Sequence, residues 1–486
     1  MKSWKSWHRP SLGPKGSLTG GLGVALALAA CAGANDRPQT ASGKDTSAAA
    51  VSARRYARDP YPSTYHAYPG VPTVVRNVTI FDGEGARIDN GQVLFADGKI
   101  VAVGQSVEAP TGATIIDGTG KYLTPGIIDV HSHLGDYPSP GVRALSDGNE
   151  ATSPVTADVW AEHSVWPQDP GFGRALANGG VTTLQILPGS ANLFGGRSVV
   201  LKNVYARTTQ GMKFPGAPYG LKMACGENPK RVYGAKGREP STRMGNIAVD
   251  RQTWAKARAY DRKWTKYEKE GGDPPDRDIG MDTLRGVLDG EILVHNHCYR
   301  ADEMANVIDM AKEFGYHVTA FHHAVEAYKI ADLLKENGVC AAVWADWYGF
   351  KMESFDGIGA NLALLQKAGT CAMIHSDDEN GIQRLNQEVA KVLSSAKHAG
   401  IPISDAVAWE WLSYNPAKAL GIADRTGSLK PGKMADVVLW NGYPFSVYTR
   451  PEKVWVDGAL LYDANNPKLR PVSDFELGLP GAGDVK

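Results

Sequence analysis

The chain of 486 residues carries 52 lysines and arginines against 52 aspartates and glutamates, a formal net charge of zero. Balanced charge offers no basic field to nucleic acid and no acidic tail to a cationic partner, which leaves a small molecule or a short peptide as the default substrate. The length exceeds an ordinary single core and predicts two structural units, such as an elaborated α/β barrel with a satellite domain.

Residues 1–31 read as a targeting segment. Lys2, Lys5, Arg9 and Lys15 lead into the apolar stretch LGVALALAA from Leu22, which stops at Cys31 and is too short to span a bilayer comfortably. The tetrad Leu28-Ala29-Ala30-Cys31 resembles a bacterial lipoprotein signal. That resemblance implies cleavage before Cys31, lipidation of that cysteine, and an exported, periplasmic protein that meets the membrane only through its anchor. An ordinary secretory cleavage is the alternative. Residues 32–70 are rich in Ala, Ser, Asp, Arg, Pro and Tyr without helical or strand period and read as a linker. The remaining Cys225, Cys298, Cys340 and Cys371 are widely spaced, each in or beside an apolar run. They read as buried thiols, with no spacing that favours a disulfide or a cysteine zinc site.

Two flanks differ in texture from the middle. TVVRNVTIFDGEG from Thr73 and GQVLFADGKIVAVG from Gly91 show short β-branched runs broken by Asp-Gly pairs, and GSLKPGKMADVVLWNG from Gly427 and KVWVDGALLYD from Lys453 repeat the pattern. Such runs predict hairpins. Neither flank holds enough residues for a core of its own, so residues 71–124 and 424–480 are expected to join into one composite β-sandwich.

Between the flanks, over 125–423, apolar strands alternate with helices. VTTLQILPG from Val181, LKMACGE from Leu221, EILVHNH from Glu291, HVTAFHH from His317, CAAVWADW from Cys340 and CAMIHSDDE from Cys371 are short runs that end in polar residues. Met304, Val307, Ile308 and Ala311 give one helical face ending at Gly315, and Ala327, Ile330, Ala331 and Leu334 another ending at Gly338. Repeated strand and helix with fully apolar strands predict a parallel sheet covered by helices. Polar strand ends narrow this to a (β/α)8 TIM-like barrel with its site at the C-terminal face. Residues 228–290 form a charged insertion, with DRQTWAKARAYDRKWTKYEKE as a solvated helix, either a surface decoration or a lid.

Strand side chains alternate, so His131 and His133 of PGIIDVHSHLG point the same way, into the barrel mouth. His295 and His297 repeat the spacing, His322 or His323 ends the next strand, and Asp377 follows CAMI. Imidazole or carboxylate at four strand ends can hold a divalent cation. By the same alternation only one of His322 and His323 enters the barrel. His375 lies about 6 to 7 Å deeper than Asp377 and reads as a core or supporting group.

PGIIDVHSH, HNH at 295–297, HHAVEA from His322, HSDD from His375 and the ending NPAKALGI…GSLKPGKMADVVLW resemble the amidohydrolase superfamily, in its imidazolonepropionase-like and prolidase-like branch, over nearly everything after residue 70. The resemblance implies a split β-sandwich and a ligand set of His131, His133, His295, His323 and Asp377, with Asp377 also the proton shuttle. His295 is preferred to His297 because the ligand is usually the first residue of such a triplet, which turns His297 to the substrate. His323 is preferred to His322 because HAVEA is similar to the family's His-Gly-x-Glu pattern. GLKMACGE is similar to the segment that carries a carboxylated lysine in two-metal members, which puts Lys222 in the bridging position, with Glu227 as its rival. Burying a lysine is costly without such a role.

This ligand chemistry suits zinc, one ion or two, and Mn, Fe or Co could occupy the same site, since ligand identity does not choose among them. The expected reaction is hydrolysis of a C–N bond in an amide, cyclic amide or dipeptide. A deaminase on the same scaffold and a catalytically silent binding protein are the alternatives. For substrate contacts the sequence offers Arg197 in the glycine-rich LPGSANLFGGRSVVLKN, Tyr233 and Arg300, each equally readable as structural. A homo-oligomer is compatible with the sequence.

Overall fold

The computed structural model describes residues 59–139 and 141–471; the expected signal segment, Cys31 and most of the linker lie outside them. In the N-terminal flank run β1 (Thr73–Phe81), β2 (Arg87–Ala96), β3 (Lys99–Gly104), β4 (Thr114–Asp117) and β5 (Tyr122–Pro125). The middle contributes β6 (Ile127–Ser132), β7 (Val181–Ile186), β8 (Phe194–Lys202), β9 (Gly220–Ala224), β10 (Leu293–Cys298), β11 (Val318–His323), β12 (Cys340–Val343) and β13 (Ala372–Ile374). The C-terminal flank adds β14 (Val437–Trp440), β15 (Pro451–Val456) and β16 (Ala459–Asp463).

The flanks do join, but as one hydrogen-bonded sheet in the order β16-β15-β14-β5-β1-β2-β3, with β4 also on β1. A strand with two register shifts makes this work. One edge of β1 takes β4 along Thr73–Arg76 and then β5 at Thr79 and Ile80. The junction between flanks is the antiparallel pair of β5 and β14, with Thr124 opposite Val438. Asp97-Gly98 and Asp457-Gly458 turn two of its hairpins with both residues of each pair at positive φ, the backbone that Asp-Gly tolerates best. Val75, Val93, Phe95, Leu123, Val437 and Trp455 form its core.

Strands β6 to β13 make the nearly closed eight-stranded barrel. It departs from the expected all-parallel order at one strand. β8 is antiparallel to both neighbours because the short segment Leu187–Leu193 returns it directly from β7, with no helix to carry the chain back. The helix Ala301–Phe314 buries Met304, Val307, Ile308 and Ala311 and stops at left-handed Gly315, as its sequence predicts. Gly126 of the Pro-Gly opening is required by close packing, since a Cβ there would lie 2.0 Å from Thr182 Oγ1.

The insertion contains a 28-residue helix, Arg243–Glu270, that is not solvated all round. Trp254, Ala257, Tyr260 and Trp264 are buried, and Trp254 stacks on Tyr316 with ring centroids 4.2 Å apart. Residues 59–70 also differ from a free tether. Tyr65 Oη donates to Asp457 Oδ2 at 2.5 Å and Tyr68 Oη to the Tyr205 carbonyl at 2.6 Å, so phenol hydroxyls pin the segment to the fold.

All four barrel cysteines are paired, Cys225 with Cys298 and Cys340 with Cys371, with Cα separations of 5.2 and 4.5 Å. The reading as free thiols fails because spacing along the chain hides neighbourhood in a sheet. Ala224 faces His297 and Ala341 faces Ala372 in the ladders, so each cysteine pair is the adjacent cross-strand pair.

One buried cation ties barrel to flanking sheet. Lys202 of β8 is fully buried and donates to Asp436 Oδ1 and Oδ2 at 2.9 and 3.0 Å and to Asp457 Oδ1 at 3.0 Å. Removing it leaves two buried carboxylates without their counter-charge. Lys202→Met is expected to cost about 3–5 kcal/mol in urea unfolding, and adding Asp436→Asn and Asp457→Asn should recover part of the loss.

Candidate metal centre

The C-terminal rim of the barrel gathers the imidazoles. His131 sits on β6 with His133 just beyond it, Lys222 on β9, His295 and His297 on β10, His322 and His323 on β11, and His375 and Asp377 just past β13. Register sets their levels: Lys222 is opposite His295, and His297 opposite His322. Gly220 keeps room below them, since a Cβ would lie 2.9 Å from His295 Cδ2 and closer still to Ser198.

Two clusters share His131. The ligand atoms of His131, His323 and His375 lie within 4.8 Å of one another, as do those of His131, His133 and Asp377. Asp377 Oδ1 is 3.2 Å from His131 Nε2 and 3.1 Å from His133 Nε2, and its Oδ2 is 3.9 Å from His323 Nδ1. Donor atoms around a tetrahedral zinc stand about 3.3 Å apart, given bonds near 2.0–2.1 Å. His133 Nδ1 lies 2.8 Å from the Leu187 carbonyl, which can only accept. His133 Nε2 is thereby turned toward the Asp377 carboxylate, where the two groups can share a proton or a cation.

The remaining imidazoles point to the same conclusion. His295 Nε2, His297 Nδ1, His323 Nδ1 and both nitrogens of His375 are buried without a hydrogen-bond partner among the described residues. Burial pushes His295 and His375 down to about 3, and His131, His297, His322 and His323 well below the usual value. Neutral rings with free lone pairs suit a borderline-soft divalent cation such as zinc. For Asp377, burial alone would raise the carboxyl; the hydrogen bond from His133 leads the effects that outweigh it and hold the group well below the usual range.

Lys222 is buried, its Nζ 3.4 Å from His131 Nε2 and 2.8 Å from the Pro188 carbonyl. Burial brings its ammonium down to about 7, so the neutral amine is accessible near neutral pH. Glu227 begins the helix Glu227–Gly234 and, with His297, Asp377 and Asn228, lines a cavity of about 740 Å³ over the cluster.

Three residues considered for substrate contact lie elsewhere. Arg197 is on buried strand β8, over the Trp160 ring at 3.9 Å and 2.8 Å from Thr283 Oγ1. Tyr233 is fully buried, its hydroxyl within 2.6 Å of the Ser153 carbonyl and Asn192 Oδ1. Arg300 precedes the helix Ala301–Phe314 and pairs with Asp302 at 2.8 Å.

Two histidines belong to the cluster against expectation. His322 enters the barrel as well as His323, with Nδ1 2.9 Å from His131 Nδ1 and Nε2 2.9 Å from His295 Nδ1. Alternation breaks because His323 has φ 70° and Ala324 φ 36°, a left-handed end that swings the second ring inward. His375 is not two residues deep in a strand, since β13 ends at Ile374. Asp377, at φ 58°, is the third non-glycine of this rim in the left-handed region, and such strain collects at functional sites.

The Amidohydrolase family signature matches residues 122–462. The chain is 36% identical to an amidohydrolase of known structure from Thermotoga maritima MSB8, over 80% of this chain and 100% of that one, with a TM-score of 0.75. It is 31% identical to the amidohydrolase tasK of Hapsidospora irregularis across 81% of this chain, but spans only 43% of that protein's length. To an imidazolonepropionase of Mesorhizobium japonicum it is 24% identical, covering 75% of this chain and 90% of that one. A matched signature over most of the sequence, and a rim of imidazoles closed by one carboxylate, place this chain in the amidohydrolase family.

Proposed function

We propose that this protein is a metal-dependent hydrolase that cleaves a carbon–nitrogen bond in an amide, cyclic amide or short peptide. The observation that carries the reading is the convergence of donor atoms at the rim: those of His131, His133 and Asp377, and those of His131, His323 and His375, lie within 4.8 Å of one another. His131, His133, His323, His375 and Asp377 would hold the cation, with His295 and Lys222 beside them. A bound divalent ion, zinc by its ligands, supplies a Lewis acid and a water acidic enough to deprotonate near pH 7.

The chain's own groups do the rest. Asp377, ionised and fixed by the rim, accepts the proton of the attacking water at Oδ1 and returns it to the leaving nitrogen. The Leu187 carbonyl fixes the tautomer of His133. His322 orients His131 and His295 through its two ring nitrogens. Lys222, as the neutral amine, can add to carbon dioxide with loss of one proton, and its carbamate would supply the extra carboxylate that a second ion needs. The two disulfides are consistent with an oxidising, exported location, and we place the chain in the periplasm, lipid-anchored through Cys31.

His131→Ala with His133→Ala should abolish bound metal, read by elemental analysis, while circular dichroism stays that of a folded protein; metal bound at wild-type stoichiometry would place the ion elsewhere. Asp377→Asn should lower kcat about 10²- to 10⁴-fold, whether the assay follows amide hydrolysis or ammonia release. Reconstitution with bicarbonate should load close to two ions in the wild type and about one in Lys222→Met.

The imidazoles also fix a pH dependence. Because His131, His323 and His375 are lowered by burial, no proton has to leave them for metal to bind at mildly acidic pH. Three ordinary imidazoles would cost about fiftyfold in affinity between about pH 7.5 and pH 6. Chelator competition should show a fall of less than about fivefold.

A further inference from the structure

The cavity over the metal cluster has a second chemistry besides the ligands. The strand end at Val343 runs into WADWYGFK, residues 344–351, and this stretch builds one wall. Trp344 stacks on Trp347 at 5.2 Å, with Tyr299 and Phe350 each 6.0 Å from Trp344. The wall continues onto the centre itself, since Trp344 lies 4.3 Å from His323 and 5.0 Å from His375 between ring centroids. Its indole nitrogen donates to the Ser376 carbonyl at 3.3 Å, which fixes the ring. Tyr348 and Phe350 are 51% and 59% exposed, so the apolar wall reaches the cavity mouth.

Lys351 stands in that wall. Its side chain is 14% exposed, its Nζ lies 3.7 Å from the Tyr299 ring centroid, and Asn228 Oδ1 is 3.4 Å away. Among the described residues the one carboxylate within 4 Å of it is Glu353, at 3.8 Å, and Glu353 is already engaged by Arg243. Glu227 and Arg231 line the same cavity with opposite charges. Burial pushes the Lys351 ammonium down despite Glu353 and Glu227, so an incoming anion would relieve a real cost. A half-buried ammonium beside stacked rings selects a ligand that is anionic at one point and flat or bulky apolar next to it.

We propose that Lys351 and the aromatic wall are the specificity determinants of this site, and that its substrate is an amide bearing a free carboxylate beside an aromatic or large apolar group, such as an N-acyl aromatic amino acid or a dipeptide with an aromatic residue. The proposal rests on the hydrolase reading for its reaction, but not for its binding chemistry. Lys351 recognises the carboxylate, and Trp347 and Phe350 receive the apolar group.

The test compares N-acetyl-phenylalanine, its carboxamide and N-acetyl-alanine on the zinc-loaded enzyme. Blocking the carboxylate should lower kcat/KM about tenfold or more, chiefly through KM. Lys351→Met should erase the preference for acid over carboxamide, Lys351→Arg should keep part of it, and Phe350→Ala should cut the preference for phenylalanine over alanine about fivefold. Equal turnover of acid and carboxamide by the wild type overturns the proposal and leaves the hydrolase reading intact, as does an equal loss on both compounds in Lys351→Met. Calorimetric binding of the same compounds to Asp377→Asn protein, with and without Lys351→Met, reads the pocket without chemistry. A Lys351-dependent preference there, with no turnover by the wild type, would sink the hydrolase reading alone; no preference in either assay sinks this proposal.

Discussion

The closure of the barrel between its first and last strands is the constraint from which the site follows. No regular ladder joins β6 to β13. The gap is bridged by Asp129, whose carboxylate takes the backbone N–H of Ser376 at 3.2 Å and the Ser376 hydroxyl, while the Asp377 N–H donates to the His131 carbonyl at 2.9 Å. Burial raises Asp129 to about 7 even against these bonds, so the seam carries an electrostatic cost. In exchange it holds Asp377 in a left-handed backbone with its carboxylate over His131 and His133. Two segments nearly 250 residues apart thus share one set of ligand atoms. At the opposite end of the seam the carbonyls of Trp411 and Leu412 accept from Ile374 and Ile128, which keeps the two strands in step.

Burial then does electrostatic work of a second kind. Histidine rings with centroids 4.4 to 4.8 Å apart would repel if several were protonated, and desolvation keeps them neutral instead. A neutral ring can donate through one nitrogen only. His322, in contact with both His131 and His295, therefore couples the orientations of two rings whose other nitrogens face the centre. The centre is an ordered array in which each tautomer depends on its neighbour.

Local chemistry was legible in the sequence wherever one residue or one period decided the matter. Asp-Gly pairs announced the hairpins, the apolar face from Met304 to Ala311 announced its helix, and paired histidines at strand ends announced the rim. What could not be read depended on relations across the sheet. The reversal of β8 depends on a connection too short for a helix, in a segment whose glycines look like those of a loop. The disulfides depend on register, and the entry of both His322 and His323 depends on a left-handed backbone that neither residue type signals. Arg197 looked available because a guanidinium near glycines suggests an anion site; its place on a buried strand against Trp160 follows only from the fold. The aromatic run after β12 carried a usable hint, since five of the eight residues from Trp344 to Lys351 are aromatic or cationic in a stretch that no helical or strand period explains.

The outer sheet has a temporal implication. Its central pair joins β5 to β14, so strands made before the barrel wait for a partner made after it, with Leu123 opposite Leu439. Until then the far edge of β5 offers unpaired amides and carbonyls to any neighbouring chain. A nascent polypeptide can wind its barrel first, but its flanking strands stay unfinished until β14 emerges, and only then does the outer sheet lock.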